Sequence, residues 1–262
     1  MGVRPPAVAG QFYPGAPRPL AAAVDAYVEA AGPPPPGPAP KAIIAPHAGY
    51  VYSGPIAGSA YARIQSLRGQ VRRVVLLGPA HRVPVRGLAL PAAAAFETPL
   101  GRVPVDPDAA GQLAELGYVE VSDRAHALEH SLEVQLPFLQ QVLTDFALVP
   151  LVVGQARPEE VAAVLEQLWG GPGTLIVVSS DLSHYLDYDT ARRLDRATSS
   201  AIEALRPEAI AHDQACGQTP ICGLLLQARQ RGLAAVTVDL RSSGDTAGPR
   251  DQVVGYGAYV FN

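Results

Sequence analysis

The sequence predicts an α/β fold, in which residues 1–262 form a single three-layer α/β/α domain around a central mixed, largely parallel sheet. Fully apolar runs at 42–45, 74–77 and 174–178 predict strands that are buried on both faces. Amphipathic segments lie between these runs and predict helices that cover the sheet on both sides. Since the chain has no internal repeat and no interior linker rich in Pro, Gly or Ser, one domain accounts for the whole length.

The amino-terminal elements follow from apolar spacing and from proline. Three apolar residues recur at helical spacing and predict a first helix over 18–31. A proline-rich segment at 33–40 then predicts a stiff, extended surface connector that leads into the first buried strand. Pro55 suits the first position of a helix, so we expect a second helix over 55–65.

The remaining elements follow from the same periodicities and from Gly, Pro and Asp at their boundaries. The predicted strands are 73–77, 87–90, a pair within 96–105, 119–121, 146–153, 174–178, 236–240 and 253–261. The predicted helices are 107–116 with Asp106 as its cap, 125–139, 158–169, 189–204, a short one from Pro207, and one through Arg231 that Thr219 caps and Pro220 opens. In the 125–139 helix, Leu128, Leu132 and Leu136 form one apolar stripe, and Pro137 predicts a kink.

Composition argues against several classes of partner. The net charge is -4, only 17% of residues are charged and no basic block occurs, so we expect no nucleic-acid partner. No apolar run is long enough for a membrane span, and no apolar stretch of a signal peptide follows the first residues, so we expect a cytoplasmic protein. Many prolines, a single Met and a single Asn fit a thermophile, although genome base composition produces the same bias.

Three histidines each follow an apolar strand within a few residues, namely His47, His81 and His184. If these strands are parallel neighbours, their carboxyl ends meet at one edge of the sheet, where open α/β sheets bind ligands. This pattern favours a shared polar site over three separate solvated loop histidines. Gly54 would let the backbone turn tightly near a ligand, and residues 243–245 predict either an anion-binding nest or a tight turn.

Cys216 is a further candidate, because imidazoles in one cleft suit Zn, Fe, Cu or Ni and a thiolate would complete such a site. It precedes a predicted helix whose positive end would lower the pKa of the thiol and favour the metal-binding thiolate. The alternative is a small buried apolar residue, which is what we expect of Cys222. We expect both cysteines to be reduced, and a blue-copper site is disfavoured because the only methionine is Met1.

Four polar residues of the predicted 125–139 helix are spaced four apart, His126 with His130 and Glu129 with Glu133. They could bind metal, or they could form an exposed polar face. A carboxylate among them could also accept the second N–H of a ligand histidine. Asp181, three residues before the third strand-end histidine, has the same expected role toward that histidine.

Seven segments together resemble the Memo family (mediator of ErbB2-driven cell motility). They are RPPAVAGQFYP (4–14), PHAGYVYSG (46–54), LGPAH (77–81), EHSLEVQLPF (129–138), SSDLSHY (179–185), CGQTPI (216–221) and SGD (243–245), and they span nearly the whole chain. Prokaryotic members resemble protein B of the AmmeMemoRadiSam system, so the resemblance implies partner proteins from that system. It also implies a Memo-like domain similar in fold to class III extradiol dioxygenases, which are non-haem iron enzymes.

The resemblance implies metal ligands at His47, His81 and Cys216, with Fe(II) as the expected ion and Cu(I) or Zn as alternatives. It places His184 near the metal in the acid/base position, with Asp181 beside it. Where the dioxygenases have a carboxylate as third ligand, this chain has Cys216, and its softer thiolate favours Cu(I) or alters O₂ activation by Fe(II). Candidates for the surrounding pocket are Tyr50, Tyr52, His130 and Glu133.

The sequence leaves three functions open. The first is a metal-dependent oxidoreductase, dioxygenase-like, that acts on a small, catechol-like substrate while His184 moves a proton. The second is a non-catalytic binding module that holds a peptide or a phosphorylated ligand in the same cleft. The third is metal-assisted hydrolysis or lyase chemistry, with Glu133 or His184 as the base.

Overall fold

The computed structural model describes residues 2–34 and 36–262, and its main feature is one large mixed sheet with helices on both faces. The strands are β1 (Val3–Arg4), β2 (Ala42–Ala45), β3 (Arg73–Pro79), β4 (Leu88–Leu90), β5 (Ala95–Thr98), β6 (Gly101–Pro104), β7 (Val119–Val121), β8 (Ala147–Val153), β9 (Thr174–Ser179), β10 (His184–Leu186), β11 (Ala235–Ser242) and β12 (Val253–Phe261). The α-helices are α1 (Pro17–Ala30), α2 (Tyr50–Ala62), α3 (Ala109–Gln112), α4 (Asp123–Ala127), α5 (Leu136–Val142), α6 (Pro158–Leu168), α7 (Tyr188–Glu203) and α8 (Gln218–Arg231).

The large sheet has nine strands, which run in the order β11, β12, β2, β9, β3, β8, β4 and β7, with β10 also paired to β12. The four central strands β2, β9, β3 and β8 are parallel, whereas β12 and β4 are antiparallel to their central neighbours. A separate small sheet contains β1, β5 and β6. Because the central strands point the same way, the carboxyl ends of β2, β9 and β3 lie together at one edge of the sheet.

Both faces of the sheet are covered, which explains why its central strands are apolar throughout. In β2, Ile43 and Ala45 join the core beneath α1, α2 and α5, whereas Ala42 and Ile44 join the core beneath α6 and α8. The predicted three-layer α/β fold with a mixed, largely parallel sheet is therefore confirmed. Among the described residues, no helix combines the length and the apolar character needed to cross a bilayer.

The long strand β12 brings together the segment that follows β2 and the segment that precedes β10. One of its edges pairs with β11 along most of its length. Its other edge pairs with β2 at residues 259–261 and with β10 at residues 253–254. The segments that leave β2 and enter β10 therefore lie along the same edge of one strand.

The predicted single helix over 125–139 is wrong, because an irregular segment and a 3-10 turn separate α4 from α5. The carboxylate of Glu129 accepts the backbone N–H groups of His130 and Ser131, so these donors do not join a helix. Leu128 is 66% exposed, so the expected apolar stripe is broken. The four polar residues spaced four apart consequently do not share a helical face.

Several predicted boundaries are displaced. Helix α2 begins five residues before Pro55, which lies inside its second turn. The missing N–H of Pro55 would otherwise bond the carbonyl of Val51, a residue that is 63% exposed and open to water. Thr219 lies inside α8, and the helix is preceded by Gly217 without a side-chain cap. Helix α3 is shorter than expected, and residues 207–209 form only a 3-10 turn. Strands β1 and β10 were not predicted. Pro35 of the predicted connector lies outside the described residues.

Gly54 has a packing role rather than the expected role near a ligand. A Cβ atom at Gly54 would lie 2.5 Å from the ring of Tyr27 in α1. A Cβ atom at Gly58, one turn later, would lie 2.5 Å from the backbone oxygen of the same tyrosine. The two glycines therefore allow α1 and α2 to pack with their backbones in close contact.

Candidate metal centre

His47 lies just beyond β2, and its ring is fixed by hydrogen bonds from one side. Its Nδ1 is 2.9 Å from Oγ of Ser179, the last residue of β9. The hydroxyl of Ser179 donates its single proton to the carbonyl oxygen of Ser131, at 2.6 Å, and accepts an N–H from Gln135. Ser179 can therefore only accept from His47, so Nδ1 carries the proton and Nε2 keeps its lone pair. The ring is 2% exposed, and burial lowers the pKa of His47 to about 3, so it is neutral.

His81 follows β3 and is fixed by Glu129. The Nδ1 atom of His81 lies 2.9 Å from Oε1 of Glu129, and its backbone N–H donates to Oε2 at 2.6 Å. Burial alone would raise the pKa of Glu129, but its bonds to His81 and to the backbone of Ser131 outweigh burial and lower the pKa to about 2. An ionised carboxylate only accepts, so Nδ1 of His81 donates, and Nε2 is the ring nitrogen left to face a metal ion.

Cys216 supplies the third donor from the segment before α8. Its Sγ lies 3.4 Å from Nε2 of His47, and it accepts the backbone N–H of Asp181 at 3.3 Å. Burial, together with the charge of Asp181, raises the pKa of the thiol to about 12. This corrects the expectation that the helix end would lower it, because desolvation outweighs the helix dipole here. Cys222 is buried inside α8 and bonds the carbonyl of Pro207, as expected of a packing residue.

The donor atoms of His47, His81 and Cys216 all lie within 4.8 Å of one another. Such spacing suits one ion with bonds of about 2.0 Å to nitrogen and about 2.3 Å to sulfur. Two imidazoles whose Nδ1 atoms are already engaged, together with one sulfur, form a donor set that fits Fe(II), Cu(I) or Zn. Both imidazoles are also supported from behind through Nδ1, as is usual for ligand histidines.

Two clefts adjoin this donor set. The large cleft has a volume of about 740 Å³ and is bordered by His47, His81 and other polar residues of the same sheet edge. The small cleft has a volume of about 400 Å³ and is bordered by His81 and Cys216. Consequently, a ligand in the large cleft would meet the site from the side of the two imidazoles.

His130 forms part of the wall of the large cleft. Its ring stacks on that of His81, with 4.6 Å between centroids, and its other side faces Phe12 at 4.8 Å. Burial lowers the pKa of His130 to about 4, helped by the nearby His47, so it is a neutral wall residue at ordinary pH. It also belongs to a second group of close donor atoms with His81 and Glu129, but that carboxylate is already bonded to the ring and backbone of His81.

His184 and Asp181 both border the large cleft, but the structure shows no hydrogen bond between them within the described residues. Asp181 instead accepts the backbone N–H of His47 at 2.8 Å, and burial raises the pKa of its carboxyl. The carboxylate found behind the His184 segment is Asp195 of α7, which accepts the backbone N–H of Ser183 at 3.1 Å. Asp195 was missed by sequence reasoning because a lone acid in an amphipathic helix resembles any exposed polar residue.

The other predicted pocket residues separate into two groups. Tyr52 borders the large cleft and is 40% exposed. Tyr50 is buried, and its hydroxyl donates to the carbonyl of Val134. Glu133 is also buried, and its carboxylate accepts from the side chain of Arg4 and from the hydroxyl of Tyr13. The structure therefore brings Tyr52 to the cleft and places Tyr50 and Glu133 in the core.

Two remaining candidates have local roles. His126 is buried, and its Nε2 lies 2.9 Å from the carbonyl oxygen of Ala89, away from the donor set. In the 243–245 segment, the carboxylate of Asp245 accepts the N–H and hydroxyl of Ser242 in a capping arrangement. The segment is therefore a tight turn whose polar groups bond one another, which agrees with the second of the two expectations for it.

Comparisons with known proteins agree with the sequence motifs. A family model described as Memo-like protein matches residues 4–260. A MEMO1 family protein of Aquifex aeolicus is 36% identical over 272 residues, which cover 100% of each chain. A MEMO1 family protein of Archaeoglobus fulgidus is 36% identical over 273 residues, with 99% of each chain covered. A crystal structure of the uncharacterized protein JW3007 from Escherichia coli K12 superposes with a TM-score of 0.55 over 84% of this chain and 98% of that chain, and at 14% identity this shows similarity of fold alone.

Proposed function

The chain belongs to the Memo family, and from that premise we propose that it is a metal-dependent, dioxygenase-like oxidoreductase that acts on a small, catechol-like substrate. His47, His81 and Cys216 would hold the ion, and Fe(II) is the ion that we propose. The observation that carries this proposal is the donor set itself, with three donor atoms within 4.8 Å of one another beside a cleft of about 740 Å³. Cu(I) and Zn suit the same three atoms and are the alternatives.

The protein's own residues support this proposal in two ways. Ser179 and Glu129 hold Nδ1 of the two imidazoles, so each ring offers Nε2 without rotating. Three protein ligands leave further positions open for small molecules. When bound, Fe(II) would supply the ability to bind a diol and dioxygen side by side.

His184 is the residue that we propose for proton transfer. It borders the large cleft at the start of β10, on the same sheet edge as the donor set. A catechol hydroxyl must lose its proton to react, and an imidazole is suited to accept it near neutral pH. Asp181, also at the cleft wall, is the second group proposed for acid/base chemistry, since burial raises its pKa toward the working range.

Metal content tests the proposal directly. The protein is purified without oxygen, supplied with Fe(II) or Cu(I) and desalted. Its metal content is then measured by inductively coupled plasma mass spectrometry. We expect about one ion per chain for the wild type and for Cys222→Ser, and a loss of about tenfold or more in affinity for His47→Ala and Cys216→Ser. The two serine variants form a matched pair, because each removes one buried thiol and only one thiol is in the donor set.

Equal and negligible iron and copper in the wild type and in His47→Ala would remove the proposal. Circular dichroism melts of all variants separate loss of metal from loss of fold. Dioxygen uptake by the iron-loaded protein with catechol, measured with an oxygen electrode, then tests the oxidoreductase activity.

A further inference from the structure

Arg82 is a charged residue that the proposed chemistry does not use. It directly follows His81, it is exposed, and it borders both the large and the small cleft. Neither cleft has another Lys or Arg among the residues that border it. Within residues 2–34 and 36–262, no hydrogen bond or ion pair engages its guanidinium. A fixed positive charge without a partner therefore lies at the mouth of the site.

The large cleft offers this cation no anion of its own. Asp181 is the one acidic residue that borders the cleft in the described chain. One of its oxygens already accepts the N–H of His47, and no hydrogen bond or ion pair joins its carboxylate to Arg82 in the described chain. The small cleft has no acidic residue among those that border it in the described chain. The charge of Arg82 is therefore available to a ligand.

Aromatic side chains form part of the wall of the large cleft. Its border includes Phe12, Tyr52, Tyr185 and Tyr256. Two of these rings are exposed to solvent, with 40% of Tyr52 and 71% of Tyr185 accessible. Aromatic rings held open at a concave surface favour flat, ring-containing ligands.

Tyr185 is also held in an unusual backbone conformation. Its φ of 58° lies in the left-handed region, which a bulky residue rarely adopts, and it coincides with an irregularity in the pairing of β10 with β12. Such outliers persist where the surrounding structure enforces them, and they are frequent at ligand sites. Here the irregularity keeps an exposed ring at the cleft wall.

We propose that Arg82 binds the carboxylate of the substrate, so that the substrate class is a small aromatic acid whose ring lies among the tyrosines. The inference rests on the proposed function, because it concerns the same cleft. A guanidinium pairs with a carboxylate through two parallel hydrogen bonds, and one monoanion matches one cation. A phosphate dianion would bring a second negative charge, for which neither cleft has a second Lys or Arg at its border. The cleft volume is also within the range of small-molecule sites.

The test compares an acid with its neutral amide, namely 3,4-dihydroxybenzoate with 3,4-dihydroxybenzamide. Each is titrated by calorimetry into the anaerobic, iron-loaded wild type, Arg82→Gln, Arg82→Lys and Arg86→Gln. Arg86→Gln is the control, because Arg86 is an exposed arginine four residues away that borders neither cleft. We expect the wild type and this control to bind the acid about tenfold or more tighter than the amide. Arg82→Gln should bind the two ligands equally without changing its affinity for the amide, and Arg82→Lys should restore part of the preference.

Equal binding of acid and amide by the wild type would overturn the inference, as would a loss of both ligands together in Arg82→Gln. Tighter binding of a phosphotyrosine peptide than of the acid, lost in Arg82→Gln, would also overturn it in favour of a peptide ligand. The iron content of each sample is measured in parallel and reports on the proposed function alone. An unchanged iron content with no preference for the acid would therefore reject the role of Arg82 and leave the metal centre intact.

Discussion

The two imidazoles of the donor set are held by partners of different strength. Nδ1 of His81 donates to an ionised carboxylate, whereas Nδ1 of His47 donates to a hydroxyl. A charge-assisted hydrogen bond is shorter and stronger than a neutral one, and it makes the opposite nitrogen a better electron donor. Nε2 of His81 is therefore expected to be the stronger electron donor toward a bound metal ion.

Glu129→Gln tests this support at the level of one residue. The amide keeps one acceptor for several N–H donors and loses the charge, so the ring of His81 is no longer fixed in one orientation. We expect metal affinity to fall about 10- to 100-fold in a competition titration against a coloured chelator. Glu97→Gln, which alters an exposed carboxylate paired with Arg102, is the control and should bind metal as the wild type does. Unchanged affinity in Glu129→Gln would contradict this role.

The buried carboxyl group of Asp195 is expected to make the free energy of unfolding depend on pH. Burial raises the pKa of Asp195 to about 6, so between about pH 4 and pH 6 the folded chain binds this proton more tightly than the unfolded chain does. The free energy of unfolding contributed by this group therefore falls as pH rises through that window. Asp195→Asn removes the titration, so its stability relative to the wild type should increase between pH 4 and pH 7, by at most about 3 kcal/mol.

Urea unfolding of the wild type and Asp195→Asn at a series of pH values measures this difference. Ser200→Ala, which changes a non-titrating side chain at an exposed position of the same helix, is the control and should show a difference that does not change with pH. A pH-independent difference for Asp195→Asn as well would show that Asp195 is not the titrating group.

At the scale of elements, the contact between α1 and α2 depends on the absence of a side chain at Gly58. An added methyl group would lie 2.5 Å from the backbone oxygen of Tyr27, so the two helices would have to move apart. We expect Gly58→Ala to lower the free energy of unfolding by about 1–3 kcal/mol in urea titrations. Gly111→Ala in α3 is the matched control, because a Cβ there meets no atom within 4 Å, and it should be neutral or stabilising by up to about 1 kcal/mol. Similar effects of both substitutions would contradict the packing role.

Elements whose periodicity is set by the core were predictable, whereas those set by polar contacts between distant segments were not. The apolar strands β2, β3 and β9 are uniform because both of their faces are buried. The break after α4 depends on Glu129, whose carboxylate binds His81, a residue 48 positions earlier. Local sequence carries no sign of that bond, and the spacing of leucines alone favoured one long helix.

The same distinction applies to the site. The histidines at the ends of β2 and β3 were predictable because parallel strands bring their carboxyl ends together. Cys216 was a candidate from its position before a predicted helix, and the family resemblance also implied it. Ser179 had a local signal, since it is the last residue of a buried strand on the same edge. Arg82 and Tyr185 had none beyond adjacency to a histidine, because their roles depend on the shape of the cleft.

At the scale of the whole molecule, a buried ion pair ties the amino-terminal segment to the core beside the site. Arg4 and Glu133 are 5% and 0% exposed, and the same carboxylate accepts the backbone N–H groups of Ala7 and Val8. This segment continues to Phe12, which packs against the ring of His130 at the cleft. The pair therefore couples the stability of the segment to the shape of the site.

We expect Glu133→Ala to cost about 3–5 kcal/mol, because it leaves the guanidinium of Arg4 buried without its counter-charge. Hydrogen exchange measured by mass spectrometry should show faster exchange over residues 2–13, and urea unfolding should give the loss of stability. Glu97→Ala removes an exposed partner of Arg102 and should cost less than about 1 kcal/mol. Wild-type exchange rates over residues 2–13 in Glu133→Ala would show that the pair does not anchor this segment.

The position of β12 in the chain also affects when the sheet edge beside the donor set forms during synthesis. It follows every other strand of the sheet in chain order, and within the described elements it is the one partner of β10. A ribosome has therefore translated both imidazoles and the thiol of the donor set before the strand that holds the backbone of His184 has been made. A metal ion captured by such a nascent chain would bind at an unfinished sheet edge, so the proposed site is expected to reach its final shape only once β12 has paired.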